Sequence, residues 1–177
     1  MARAIDVAMY LLRLRDSDMR TTGDAHSLCN LKMQRLLYYC QGGHYRWDNA
    51  RLIDDNVFES WDYGPVIRQV YYVFSYRGQN NLPALKDLTC HKKYKQPNRY
   101  EKVLTIDERE TIEAVWQHLK KLSAFELVFQ SQSEPPWRNA RESGLLFISE
   151  DDIKDHFQND INMTEMSSDN VGVVGSG

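Results

Sequence analysis

Leu28-Cys29-Asn30-Leu31-Lys32-Met33-Gln34-Arg35-Leu36-Leu37-Tyr38-Tyr39-Cys40-Gln41-Gly42-Gly43-His44-Tyr45-Arg46-Trp47 is the stretch whose reading decides the fold. Leu, Lys, Met, Gln and Arg favour helix, and no Pro interrupts the run. Apolar side chains at Leu28, Leu31, Met33, Leu36, Leu37, Tyr39, Cys40 and Trp47 recur mostly at steps of three and four. That spacing predicts a central helix with a broad apolar stripe. Lys32, Gln34, Arg35 and Gln41 fill the rest of its circumference. Tyr38 and Tyr39 point about 100° apart, so one is expected in the core and the other at its rim. Gly42-Gly43 predicts an end or a bend, because each Gly costs about 1 kcal/mol inside a helix.

The rest of the chain is long enough to bury a core around such a helix. Its 177 residues suit one domain. Hydrophobic residues at 42% and charged residues at 27% have the balance of a globular, water-exposed protein. No run of 18 apolar residues exists, so no membrane-spanning helix is expected. Asp6 falls where a secretory signal would need apolar residues, which points to the cytoplasm. Cys29 and Cys40 would stand about 16 Å apart on one helix, too far for a disulfide. With Cys90 they make an odd count, which fits free thiols in a reducing compartment. Charge is uneven. Residues 149–177 hold seven acidic residues and one Lys, so a chain of net charge −3 carries a mildly basic body and an acidic end.

Outward from the centre, Ala4 to Arg15 reads as a first helix and the polar Asp16 to Asp24 stretch as a loop. Arg51 to Tyr63 interleaves apolar residues with Asp, Asn and Glu, as a short extended segment or half of a small ribbon would. Tyr63-Gly64-Pro65 predicts a turn with Pro at the first position of a helix to about Tyr76. Gly78 to Tyr100 reads as a long loop, with a strand as an option. Thr105-x-x-Glu108 and Ser123-x-x-Glu126 are capping boxes that open two further helices. Pro135-Pro136-Trp137 starts another, ended by Gly144, and Ser149 caps a last one through Phe157. The fold class is therefore mainly α: a compact single-domain helical bundle with a short β-ribbon over residues 1–158. A disordered acidic tail is expected over 159–177.

Chemistry finds little support. The five His are scattered and no Cys-x-x-Cys or His-x-x-x-His occurs, so no metal or other cofactor is expected. Gly-x-Ser-x-Gly and a P-loop are both missing. Cys40 and His44 share a helix face and make the one nucleophile–base candidate, but Cys40 sits on the apolar stripe. Lys92, Lys93, Lys95, Arg99 and Lys102, interleaved with Tyr94 and Tyr100, would suit a nucleic-acid backbone and stacked bases. The acidic total speaks against that, and nucleic acid is not the expected partner. Tyr38, Tyr39, Trp61, Tyr63, Tyr71, Tyr72 and Trp137 remain. Such residues beside Arg make binding hot spots, and equally an aromatic core with hydrogen-bonded tips.

Three segments resemble a known family. Leu31-Lys32-Met33-Gln34-Arg35-Leu36-Leu37-Tyr38-Tyr39-Cys40-Gln41-Gly42 resembles its Leu-Lys-Leu-Gln-Lys-Leu-Leu-Tyr-Tyr-Ala-Gln-Gly helix. Phe58-Glu59-Ser60-Trp61-Asp62-Tyr63-Gly64-Pro65-Val66 resembles its Phe-x-Ala-Trp-x-Tyr-Gly-Pro-Val segment. Ser123-Ala124-Phe125-Glu126-Leu127 and Pro136-Trp137-Arg138-Asn139-Ala140-Arg141 resemble its Ser-x-x-Glu-Leu and Pro-Trp-x-x-Ala-Arg pair. The order is that of the Panacea antitoxin-domain family, whose members include Soc-type and phage-associated antitoxins. Ser131-Gln132 stand where the family often has Thr-His.

The resemblance implies a non-enzymatic antitoxin that masks a cognate protein toxin, such as one that blocks translation, by direct binding. It also implies, as a rival, an adaptor that delivers a toxin to a Clp-type protease. On this reading Lys32, Arg35, Tyr38, Trp61, Tyr63, Trp137 and Arg138 are the expected toxin-binding residues.

Overall fold

The computed structural model describes residues 2–88 and 98–160. Helix α1 spans Ala4–Thr21 and α2 Asn30–Asp48. A two-stranded antiparallel hairpin follows, β1 Glu59–Trp61 and β2 Gly64–Val66, with Glu59 opposite Val66 and Trp61 opposite Gly64. Helix α3, Arg68–Phe74, runs into a 3-10 turn over Ser75–Arg77. Two one-turn helices come next, α4 Leu85–Leu88 and α5 Tyr100–Val103. The chain closes with α6 Ile106–Leu119, α7 Ala124–Ser133, α8 Pro135–Glu142 and α9 Glu150–Asn159. The protein is mainly α with one small ribbon, as the periodicity predicts.

Helix α2 is the hub. Helices α1, α6, α7 and α9 pack on it, together with β2 and α3. Every residue from Lys32 to Tyr45 is buried. The core around it includes Leu11, Leu12, Leu36, Leu37, Ile112, Trp116 and Phe157. Each large apolar side chain there contributes about 1.5–3 kcal/mol. Both capping boxes form reciprocally, Thr105 with Glu108 and Ser123 with Glu126, and Ser149 accepts from the Asp152 amide. Such caps stabilise a helix start by about 1 kcal/mol.

Four expectations are corrected. Helix α1 continues through the predicted loop to Thr21. Its polar last turns face tertiary partners: Asp16 accepts from the Leu85 amide, and Asp18 from Trp116 Nε1 and Lys120 Nζ. Gly42-Gly43 does not end the helix, which runs on to Asp48. These glycines serve close approach instead. A Cβ on Gly42 would fall 2.3 Å from the Phe157 ring, and one on Gly43 2.8 Å from Trp47. Pro65 opens no helix; it lies in β2 opposite Ser60, where a missing N–H is tolerated at a sheet edge. Tyr38 and Tyr39 are both buried, because α2 is enclosed on all sides. Residues 89–97, which hold the basic run 91–95, and the tail from 161 lie outside the described residues, while the described start of the expected 78–100 loop contains α4.

Candidate functional site

The turn joining β1 to β2 is held by side chains from three helices. Arg141 of α8 donates to the Ser60 carbonyl at 2.9 Å. Trp137 Nε1 donates to Trp61 O at 2.9 Å, and Gln132 of α7 to Asp62 O at 2.8 Å. Arg35 of α2 donates to both Tyr63 O and Pro65 O. Five main-chain carbonyls between Ser60 and Pro65 are thus each met by a fixed donor. Gly64, at φ +106°, leaves the space that the Arg35 guanidinium occupies.

The rest of the polar row on α2 extends the same clamp. Gln34 accepts from the Ile67 amide at 3.0 Å, at the start of α3. Asn30 donates to Tyr71 O at 3.0 Å, and Gln41 accepts from the Ile53 amide at 2.8 Å. A buried backbone group without a partner costs about 1–3 kcal/mol, so the polar residues of this helix match a segment that cannot satisfy itself.

Arg35 is fully buried, and burial pushes its guanidinium down to about 9, which leaves it cationic at neutral pH. The facing carbonyl dipoles offset the lost solvation. Lys32 is buried too. Its ammonium donates at 2.6 Å to Lys120 O at the end of α6, where a helix terminus favours a cation, and burial lowers its pKa. Tyr38 packs edge-on against Tyr39, Phe58 and Phe157, and burial drives its hydroxyl well above the ordinary tyrosine value. These three of the expected binding residues lie inside the protein.

The other four lie on or near the hairpin. Trp61 is half-buried, 4.9 Å from the Tyr71 ring with Arg68 over it at 5.6 Å, and its Nε1 donates to Glu59 at 2.7 Å. Tyr63 is 60% exposed at the tip. Trp137 is half-buried under Arg141. Arg138 is exposed on α8 and donates to Ser133 O at 3.3 Å.

A groove of about 730 Å³ opens beside the hairpin, lined by Asn30, Leu31, Trp61, Tyr63, Tyr71, Phe125 and Leu146 among others. Phe125 and Leu146 belong to this face and were not expected there. Phe129, four residues on from Phe125, also lies exposed on α7, so neither completes its core face. Gln132 and Arg141 were also missed as clamp residues. The Gln132 side-chain amide supplies a donor to the turn.

Glu59 ties the face together electrostatically. Arg68 donates to it twice at 2.8 Å, and with the Trp61 bond this holds its carboxyl below the usual range, against its burial. Asp18 is likewise lowered. Burial opposes its charged form, but hydrogen bonds from Lys120 and Trp116 outweigh that. A carboxyl with a depressed folded pKa binds its proton later than in the unfolded chain. Stability is then fully present above the ordinary carboxylate range and falls as pH drops through the folded values. Denaturant melts should be flat from pH 7 to about 5 and lose stability below about 4. Glu59→Gln should flatten that acid limb, and an unchanged limb would remove Glu59 from the account.

Cys40 and His44 do not form a nucleophile–base pair. Burial pushes the Cys40 thiol up, and His44 Nδ1 faces Thr111 Oγ1 at 3.0 Å and Asp48 at 2.9 Å. No helix among the described residues is long and apolar enough to cross a membrane.

The model of the antitoxin SocA-like family, the Panacea domain, matches residues 33–138, a span that contains Arg35, the hairpin, Gln132 and Trp137. Antitoxin SocA of Caulobacter vibrioides is 32% identical over 143 residues, covering 74% of this chain and 72% of that protein. No solved structure matches the chain. The chain belongs to the SocA-like antitoxin family and carries its Panacea domain.

Proposed function

We propose that this protein neutralises a cognate protein toxin by direct binding, using the face built around the Ser60–Pro65 turn. The observation that carries the reading is the convergence of the family's segments on one turn. Donors from α2, α7 and α8 fix its backbone, while Tyr63 and the adjoining groove stay open. Ordering a residue costs about 1–2 kcal/mol, and a turn ordered beforehand spares that cost on binding. Aromatic anchors beside a pocket are where binding energy concentrates.

Trp61, Tyr63, Trp137 and Arg138 are the proposed contact residues. Lys32, Arg35 and Tyr38 hold them in place. A toxin that blocks translation is the proposed target, and residues 1–158 are the proposed antitoxin domain, acting in the cytoplasm. A Clp-type protease is a second proposed partner by family resemblance.

Co-expression with the product of the adjacent gene tests the reading. Tyr63→Ala should leave stability within about 0.5 kcal/mol, as an exposed change does. It should weaken toxin binding at least about tenfold and restore toxicity, as loss of an anchor does. A neighbour that is harmless alone, or one neutralised equally well by Tyr63→Ala, would contradict the proposal.

A further inference from the structure

The ribbon has a third, unfinished member. Residues 145–148 run antiparallel to β1, with Phe147 opposite Glu59. The Ser60 amide donates to Leu146 O at 2.7 Å, and the Ile148 amide to Phe58 O at 2.9 Å. In this register the N–H and C=O of Phe147 point away from β1. Neither makes a hydrogen bond among the described residues. The opposite edge, β2, is closed. Arg35 takes the carbonyls of Tyr63 and Pro65, and Pro65 has no N–H.

Leu145, Leu146 and Phe147 are exposed at 58%, 48% and 54%. An apolar edge strand with free backbone groups is what a protein normally guards with Lys, Pro or a bulge, because it templates pairing with another chain. None of those guards stands at these three positions. Alternation splits their side chains. Leu146 lines the groove with Tyr63 and Phe125, and its neighbours take the other face. The segment is flanked in sequence by exposed acidic residues, Glu142 before it and Asp151 after it.

We propose that the Leu145–Phe147 edge takes up an extended segment of the partner toxin as an added β-strand, a mode in which main-chain bonds give affinity and alternate side chains give specificity. The inference rests on neutralisation by direct binding. The segment it fits has apolar residues at alternate positions, one seated in the groove beside Leu146, and a cationic residue at each end to meet Glu142 and Asp151.

The test uses the full chain and the purified product of the adjacent gene. Amide exchange at Phe147 should slow at least tenfold in the complex. With Phe147→Ala as the control for the lost ring, Phe147→Pro removes the outward N–H. It should weaken binding at least tenfold, with the melting temperature held within about 2 °C. Glu142→Lys with Asp151→Lys should slow association at low salt. Unchanged exchange at Phe147 in a formed complex overturns the strand proposal while leaving neutralisation standing, and it does so even where Phe147→Pro fails to fold. A dimer that Phe147→Pro dissociates without loss of toxin binding assigns the edge to a second copy and also overturns it. A wild-type chain that neither binds nor neutralises that product brings down the direct-binding reading, and the strand with it.

Discussion

Arg35→Met will destabilise the protein by about 2–5 kcal/mol and abolish tight toxin binding. The substitution roughly keeps the volume but removes the guanidinium that donates to Tyr63 O and Pro65 O. Each buried carbonyl left unpaired costs about 1–3 kcal/mol. For a chain of this size the melting temperature should fall by on the order of 10 °C. Binding should suffer more than stability alone requires, because the turn then has to be ordered in the complex. Arg35→Lys should not rescue it. A single ammonium cannot span two carbonyls as the planar guanidinium does. Denaturant melts and a titration against the toxin check both parts, and near-normal binding by Arg35→Met would break the link between clamp and surface.

Gly64→Ala should be nearly as damaging, at about 3 kcal/mol or more. A Cβ there would lie 1.8 Å from the Arg35 guanidinium and 2.9 Å from Ser131 Oγ, on a backbone at φ +106°. The strained backbone accounts for about 1–3 kcal/mol. The rest comes from displacing Arg35, so the two substitutions strike one interaction. The double variant should therefore fall short of the sum of the singles by at least about 1 kcal/mol, the signature of a shared contact. Additive losses would mean that Gly64 serves some end other than admitting Arg35.

How much of this was legible in the sequence differs by residue. The central helix was, because a run of good helix formers with apolar residues at steps of three and four has few alternatives. The capping boxes were, because their chemistry is local. The corrections share a cause: each depended on a distant partner. Gly42 and Gly43 read as helix breakers until Phe157 and Trp47 occupy the space they leave. Asp16 and Asp18 read as loop until Leu85, Trp116 and Lys120 are seen to use them. Pro65 read as a helix start because its strand partner, Ser60, lies across the turn.

The site was half legible for the same reason. The family resemblance picked out Arg35, Trp61, Tyr63 and Trp137 but not their division of labour. Nothing local says that Arg35 faces inward to a turn or that Tyr63 faces out. Burial decides that: Arg35 is fully enclosed, and Tyr63 is 60% exposed. Leu146 and Phe125 escaped because an apolar residue in a short run or on a helix looks like core until the neighbouring element fails to cover it.

On the proposed function, a buried clamp presents the tip of this hairpin to the toxin. The most direct test places a photo-cross-linking amino acid at Tyr63 in cells that express chain and toxin together. The same probe at Ile106, which is 74% exposed at the start of α6, serves as reference. Irradiation should join the toxin to position 63 and not to position 106. A toxin captured at Ile106 and absent from position 63 would contradict the account.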